Sequence, residues 1–265
     1  MINYDLSQLI QNSEEITLPR LVERLTSSRR YRKILRKIMK DTGREISASL
    51  ITAYVAAQED ENGAEAALLL LATFAILNRA SQDAKVSVSQ LLASESAYLD
   101  KIFIAGVKKA TTADITALIG EADTKILLET IVKRNVSLIT DLTEQTRGKI
   151  ERAVLDAQIN NTPARELKKE LNKILGSQAK RGDLIAFDQL EKLAAEITGF
   201  RAQQAGLTKY IWRSQGDHRV RYLHRELHGK LQDITKAHHG DKNRLPRVPI
   251  RCRCWAEWVI EKFKG

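Results

Sequence analysis

The chain has 265 residues, 43% hydrophobic and 29% charged, a composition ordinary for a soluble globular protein with room for one large domain or two smaller ones. Its formal charge of +10 points to a polyanionic neighbour: nucleic acid, an acidic partner or a membrane surface. Its two cysteines, Cys252 and Cys254, exclude a secreted disulfide framework, and the polar, acidic opening "MINYDLSQLIQNSEE" has no secretory character, so a reducing, cytoplasmic compartment is expected.

Ala, Leu, Ile, Lys, Glu and Arg dominate, which favours helix. The spacing predicts a long helical stretch opened by Thr17 and Pro19 and running towards Gln58. Within it Tyr31, Leu35, Ile38 and Met39 recur at helical spacing. The other faces carry Arg29, Arg30, Arg32, Lys33, Arg36 and Lys37, part of a run with seven positive charges and no negative one over residues 29–40. Such a face is either simply solvated or lies against nucleic acid or an acidic partner. "EDENGAE" reads as a turn, and the apolar run "AALLLLATFAIL" that follows is too short to span a bilayer and reads as a buried helix. Residues 81–135 have apolar clusters but no clear element boundaries.

From Val136 the signals sharpen. Leu138, Leu142, Ile150 and Val154 line one helix that ends near "QINNTP". Thr162 and Pro163 start a second helix, with Gly176 placed as its stop, and a third carries Leu184, Leu193 and Ile197 up to Gly206. Three amphipathic helices with short joints should pack as a bundle. After Gly206 the texture changes: "TKYIWR" reads as a strand, Asp217 caps a short helix "HRVRYLHREL" that stops at Gly229, a polar loop follows, and "IRCRCWAEWVI" closes as a strand. The expected fold is therefore mainly α: an N-terminal helical region (1–130) and a helical bundle (131–206), followed by a small, basic α+β module (207–265).

All five histidines, both cysteines and all three tryptophans lie between Tyr210 and Trp258. A module of this size has a marginal core, for which aromatic packing by Tyr210, Trp212, Trp255 and Trp258 or a metal would compensate. On a strand, Cys252 and Cys254 face the same side; on a helix, His224 and His228 share a face. Two thiolates and two imidazoles suit one structural zinc, although C-x-C has a tighter bite than the usual zinc spacings. His238 and His239 are alternative ligands or solvated residues. Asp217 and Arg221, four apart, are placed to pair. A catalytic reading sets Asp217 as orienting group, His224 as general acid or base and Arg219 as a phosphate anchor, but no nucleophile elbow, phosphate loop or carboxylate pair accompanies them.

"YIWRSQGDHRVRYLHRELHGK" followed by "CRCWAE" resembles the C-terminal block of the Mu protein F-like head morphogenesis proteins, minor head proteins of tailed bacteriophages. Tyr210, Trp212, Asp217, Arg219, Val220, Arg221, His224, Leu227, Gly229, Cys252, Arg253 and Cys254 fall on its pattern. The resemblance covers about residues 135–260 and is most specific in the last fifty. No proline follows C-R-C here, as is frequent in the family. The position of His228 varies there, which leaves His224, Cys252 and Cys254 as the firmer ligands and the fourth position open to Asp217, a loop histidine or water.

The resemblance implies a non-enzymatic protein of the virion, inside the capsid near the portal, present in the host cytoplasm during assembly. Its implied partners are the portal protein, viral DNA, and the major capsid or scaffolding protein. Arg219 and Arg221 join the basic residues of the 29–37 stretch as DNA contacts. Some members carry a toxin domain after this block; with Gly265 eleven residues beyond Cys254, none is expected here. The rival readings are a His-based or metal-dependent nuclease or transferase, and a DNA-binding accessory factor without a capsid role.

Overall fold

A computed structural model describes residues 4–11, 14–59, 63–236 and 245–263. The chain is mainly α with a small sheet contributed largely by its C-terminal part, as expected. The helices are α1 (Leu6–Ile10), α2 (Leu25–Glu59), α3 (Gly63–Thr111), α4 (Lys125–Ile159), α5 (Ala164–Gln204) and α6 (Tyr222–Leu227). The strands β1 (Ile16–Thr17), β2 (Lys209–Arg213), β3 (Leu231–Asp233) and β4 (Trp255–Ile260) form one antiparallel sheet in the order β1-β4-β2-β3. None of the described helices is long and apolar enough to cross a membrane.

Packing divides the chain into two compact units drawn from interleaved stretches: a helical unit of Ser28–Leu91 and Val132–Phe187, and a sheet unit of Met1–Ser27, Leu92–Ile131 and Asp188–Gly265. In the helical unit the predicted stripe of α2, Tyr31, Leu35, Ile38 and Met39, is buried throughout. Farther along, Leu50 and Tyr54 of α2, Leu77 of α3, Val154 of α4 and Leu171 of α5 share one core. Burying tyrosines requires partners for their hydroxyls. Tyr31 donates to Asn135 Oδ1 at 2.6 Å, and the Tyr54 hydroxyl lies 2.8 and 2.7 Å from the carbonyl oxygens of Ala157 and Thr162.

Helix boundaries differ from expectation for identifiable reasons. Thr17 does not open a helix: it pairs with Val259 in the sheet, and Leu18 donates its amide to the Trp258 carbonyl at 2.8 Å. Helix α2 begins only at Leu25, beside Glu95, which accepts from the Arg24 amide (2.7 Å) and the Ser27 hydroxyl. The unplaced region is mostly helix: α3 runs unbroken to Thr111, where Thr112 turns left-handed (φ 65°). Its hydroxyls bond back along the helix, Ser89 to Lys85 O and Thr111 to Val107 O, both at 2.8 Å. Helix α4 starts eleven residues before Val136, and α5 passes through Gly176 as a single helix.

The sheet unit is organised by β4, which pairs with β1 on one edge and β2 on the other. Tyr210 and Trp212 of β2 are buried, opposite Trp258 and Ala256. They share a core with Tyr4, Leu6, Leu18, Phe103 and Val107. The boundary expected at Gly206 therefore falls inside a compact unit. Residues 92–131 and the N-terminal stretch complete the core of the C-terminal strands. Trp255 lies under the Arg20 guanidinium, 4.1 Å from its ring centroid.

A Cβ added at Gly176 would meet nothing within 4 Å, and its backbone is not left-handed. Gly176→Ala should therefore raise the stability of the helical unit by about 0.5–1 kcal/mol, seen as a higher denaturation midpoint. A lower midpoint would mean that the helix breaks there.

Candidate metal centre

The centre begins with a tie between β2 and the end of α6. The Gly229 amide donates to Trp212 O (2.8 Å) and the Trp212 amide to Lys230 O (3.0 Å), with Gly229 in the left-handed conformation (φ 78°) that glycine adopts freely. This fixes the six-residue α6 across the end of the strand. His224 is its one buried residue, whereas Tyr222 and Leu223 face solvent. The imidazole meets the Trp212 ring edge-on, 5.0 Å between centroids.

Cys252 and Cys254 are not on the closing strand, which begins at Trp255. They lie in the loop before it, after a turn in which Arg251 is left-handed (φ 58°) and the Cys252 amide donates to Pro249 O at 2.9 Å. Both sulfurs nevertheless converge on one imidazole. Cys252 Sγ is 3.5 Å and Cys254 Sγ 3.7 Å from His224 Nδ1. All three side chains are buried, and their donor atoms lie within 4.8 Å of one another.

This set fits a metal ion. With Zn–S near 2.3 Å and Zn–N near 2.05 Å, a tetrahedral centre places sulfur and nitrogen about 3.6 Å apart, close to both observed distances. Two thiols and an imidazole are also the donors that a zinc-like ion prefers. The ligands are partly prepared. The Cys252 thiol is pushed down to about 4, chiefly by a hydrogen bond from Cys254, against burial and with help from His224 and the Arg247 amide. The Cys254 thiol is pushed up by that same hydrogen bond and by burial, against an opposing contact from Trp212. The hydrogen bond between the two sulfurs holds a proton between them. When bound, the metal would replace that proton and hold both as thiolates.

Other expected site residues are distributed differently. His228 does not share a face with His224, because α6 ends at Leu227; it accepts from the Ser214 amide at 3.0 Å. Asp217 pairs with Arg253, not Arg221, and its carboxyl is held below the usual range first by that partner. Arg221 instead donates to Ile250 O at 2.6 Å. Asp217 is not among the donors gathered around His224, so the catalytic set of Asp217, His224 and Arg219 is not assembled among the described residues. His238 and His239 lie outside the described residues. On α2, Arg29, Arg30, Lys33 and Lys37 are exposed, Arg32 is half-buried and Arg36 is bound to Asp183 at 2.5 Å.

Sequence reasoning missed Arg247. In a stretch read as polar loop, it is 4% exposed and left-handed (φ 73°). Its guanidinium lies 2.6 Å from Glu23 and 2.9 Å from Glu191. Burial raises the Glu191 carboxyl to about 8 against the pull of Arg247; Glu23, which hydrogen-bonds with it, raises it further, and Arg20 opposes. The only prior signal was the unusual pair of prolines flanking an arginine, "LPRVP".

That carboxyl makes a prediction about pH. The folded protein keeps a proton that the unfolded chain loses near 4.5. Stability from this group is thus full below that pH and falls as pH rises towards about 8, with a slope of at most about 1.4 kcal/mol per pH unit. Denaturation midpoints of the native protein should fall over this window relative to Glu191→Gln. Parallel pH profiles would show that Glu191 titrates normally.

Residues 148–257 match the model of the family described as Phage Mu protein F like protein. The chain is also 29% identical over 120 residues to an uncharacterized protein of Haemophilus influenzae; the match covers 45% of this chain and 26% of that protein. No solved structure matches it. The matched segment starts within α4, takes in α5, β2, α6 and β3, and ends inside β4, enclosing His224, Cys252 and Cys254. Over residues 148–257, the chain is similar to the phage Mu protein F-like family.

Proposed function

We propose that the protein is a minor head protein of a tailed bacteriophage, associated with the portal vertex and acting in head assembly, DNA packaging or genome delivery. The family match over residues 148–257 carries this reading. Its partners are the portal protein, viral DNA, and the major capsid or scaffolding protein, and its place is inside the capsid near the portal after assembly in the host cytoplasm. It acts by binding, without turnover. In support, the one gathered donor set among the described residues is buried and built of metal ligands, while Asp217 is engaged by Arg253. The ion that suits this set is a single structural zinc.

The charge distribution supports contact with DNA. Residues 207–265 hold fourteen lysines and arginines against six acidic residues, and Arg219 and Arg221 are exposed there. On α2, Arg29, Lys33 and Lys37 are successive fourth residues, so they project from one side of the helix, and all are exposed. Such side chains neutralise phosphates without reading sequence.

The direct test is to tag the protein in phage-infected cells and isolate portal rings and finished particles. The proposal expects it with the portal ring and in few copies per particle; its absence from both would overturn the reading. In vitro, DNA binding should be insensitive to sequence and weaken steeply with salt. Replacing Arg29, Lys33 and Lys37 with glutamine should reduce the log–log salt slope by up to about 0.9 per lost phosphate contact. An unchanged slope would remove α2 from the DNA contact.

A further inference from the structure

The loop that carries the two cysteines also carries Arg247. Arg247 stands five residues before Cys252 in this loop, and its guanidinium is buried between Glu23 and Glu191. Glu23 belongs to the stretch between β1 and α2, and Glu191 to α5. The loop that supplies two of the metal ligands therefore also holds the N-terminal stretch.

This loop does not adopt its conformation by local preference. Arg247 (φ 73°) and Arg251 (φ 58°) are both left-handed with side chains, an arrangement that persists only where the surroundings impose it. Burying a guanidinium also requires that its acidic partners be accurately placed. Towards the N-terminal side, Leu245 sits over Gly199 so closely that a Cβ there would lie 2.7 Å from Leu245 Cδ1. The Arg251 amide is held by Asp188 at 3.0 Å. Arg221 donates to Ile250 O at 2.6 Å and Asp217 pairs with Arg253, and the buried anchor at that end of the loop is where Cys252 and Cys254 meet His224.

Resting on the zinc reading above, we propose that this loop is a metal-operated clasp: an ion held by His224, Cys252 and Cys254 fixes the turn that sets Arg247 between Glu23 and Glu191, and so binds the N-terminal stretch onto the sheet unit. Linkage makes the effect reciprocal: whatever factor metal adds to docking of that stretch, docking adds to metal affinity. Arg247 is a positioning residue in this scheme, not a ligand. Without metal, the thiols and imidazole still attract one another, but less rigidly, and the left-handed turns are free to relax.

The experiment uses the full chain. Metal analysis establishes zinc content, and amide hydrogen exchange is then followed with and without removal of zinc by a strong chelator. Useful reporters are the amide of Leu18, which donates to Trp258 O, and that of Arg24, which donates to Glu95. Removal of zinc should speed exchange over residues 18–24 by at least tenfold and leave residues 138–154 of the helical unit unchanged. Arg247→Met should release zinc to a chromogenic chelator at least fivefold faster, with Arg247→Lys in between. Absence of zinc from the protein would overturn both the zinc reading and the clasp. Zinc present, with chelation altering exchange only around residues 222–228 and 252–254, would overturn the clasp alone. Where Arg247→Met does not fold, the chelation comparison on the native protein decides.

Discussion

Two thiols and an imidazole buried within 4.8 Å of one another form the constraint on which the C-terminal chemistry depends. At that spacing the two thiols shift one another in opposite directions, Cys252 down and Cys254 up, through the hydrogen bond between them. A metal relieves this better than a proton, because it accepts both sulfurs and the nitrogen at once. The convergence also dictates local structure. It requires α6 to lie across the end of β2 and a tight turn at Arg251 before the loop that leads into β4.

Strand β4 transmits this arrangement to the rest of the sheet unit. It starts one residue after Cys254, pairs with β2 on one edge, and pairs near its end with β1 from the other end of the chain. The register that places Ile16 opposite Ile260 closes a loop of more than two hundred residues. The entropy of such a closure is recovered only when the aromatic core is complete. Tyr210 against Trp258 at 5.3 Å, with the apolar residues of α1 and α3 around them, supplies that core. Arg201 adds a polar tie: fully buried, it holds Asp100 through two nitrogens (2.8 and 3.0 Å) and also reaches Asp123 and Gly120 O.

Local signals were legible in the sequence where periodicity or a rare residue was involved. The stripe Tyr31, Leu35, Ile38 and Met39 and the strand "TKYIWR" stand where their spacing put them, and His224, Cys252 and Cys254 come together although the cysteines lie in the loop before β4 and not on the strand. What stayed hidden depends on distant contacts. Strand β1 is two residues long and exists because β4 is beside it. Gly176 resembles a helix stop, but flanking packing carries α5 through it. His228 looks like a partner of His224 only if α6 continues one residue further than it does. The interleaving of the two units is invisible locally, since it follows from helices long enough to contribute residues to both.

The same centre connects fold to the proposed function, because it lies inside the segment that matches the phage Mu protein F-like family model. X-ray absorption at the zinc edge of the purified protein tests it most directly. The prediction is a four-coordinate ion with two sulfurs at about 2.3 Å and at least one nitrogen at about 2.0–2.1 Å. A protein free of zinc, or a shell of nitrogen and oxygen without sulfur, would contradict it.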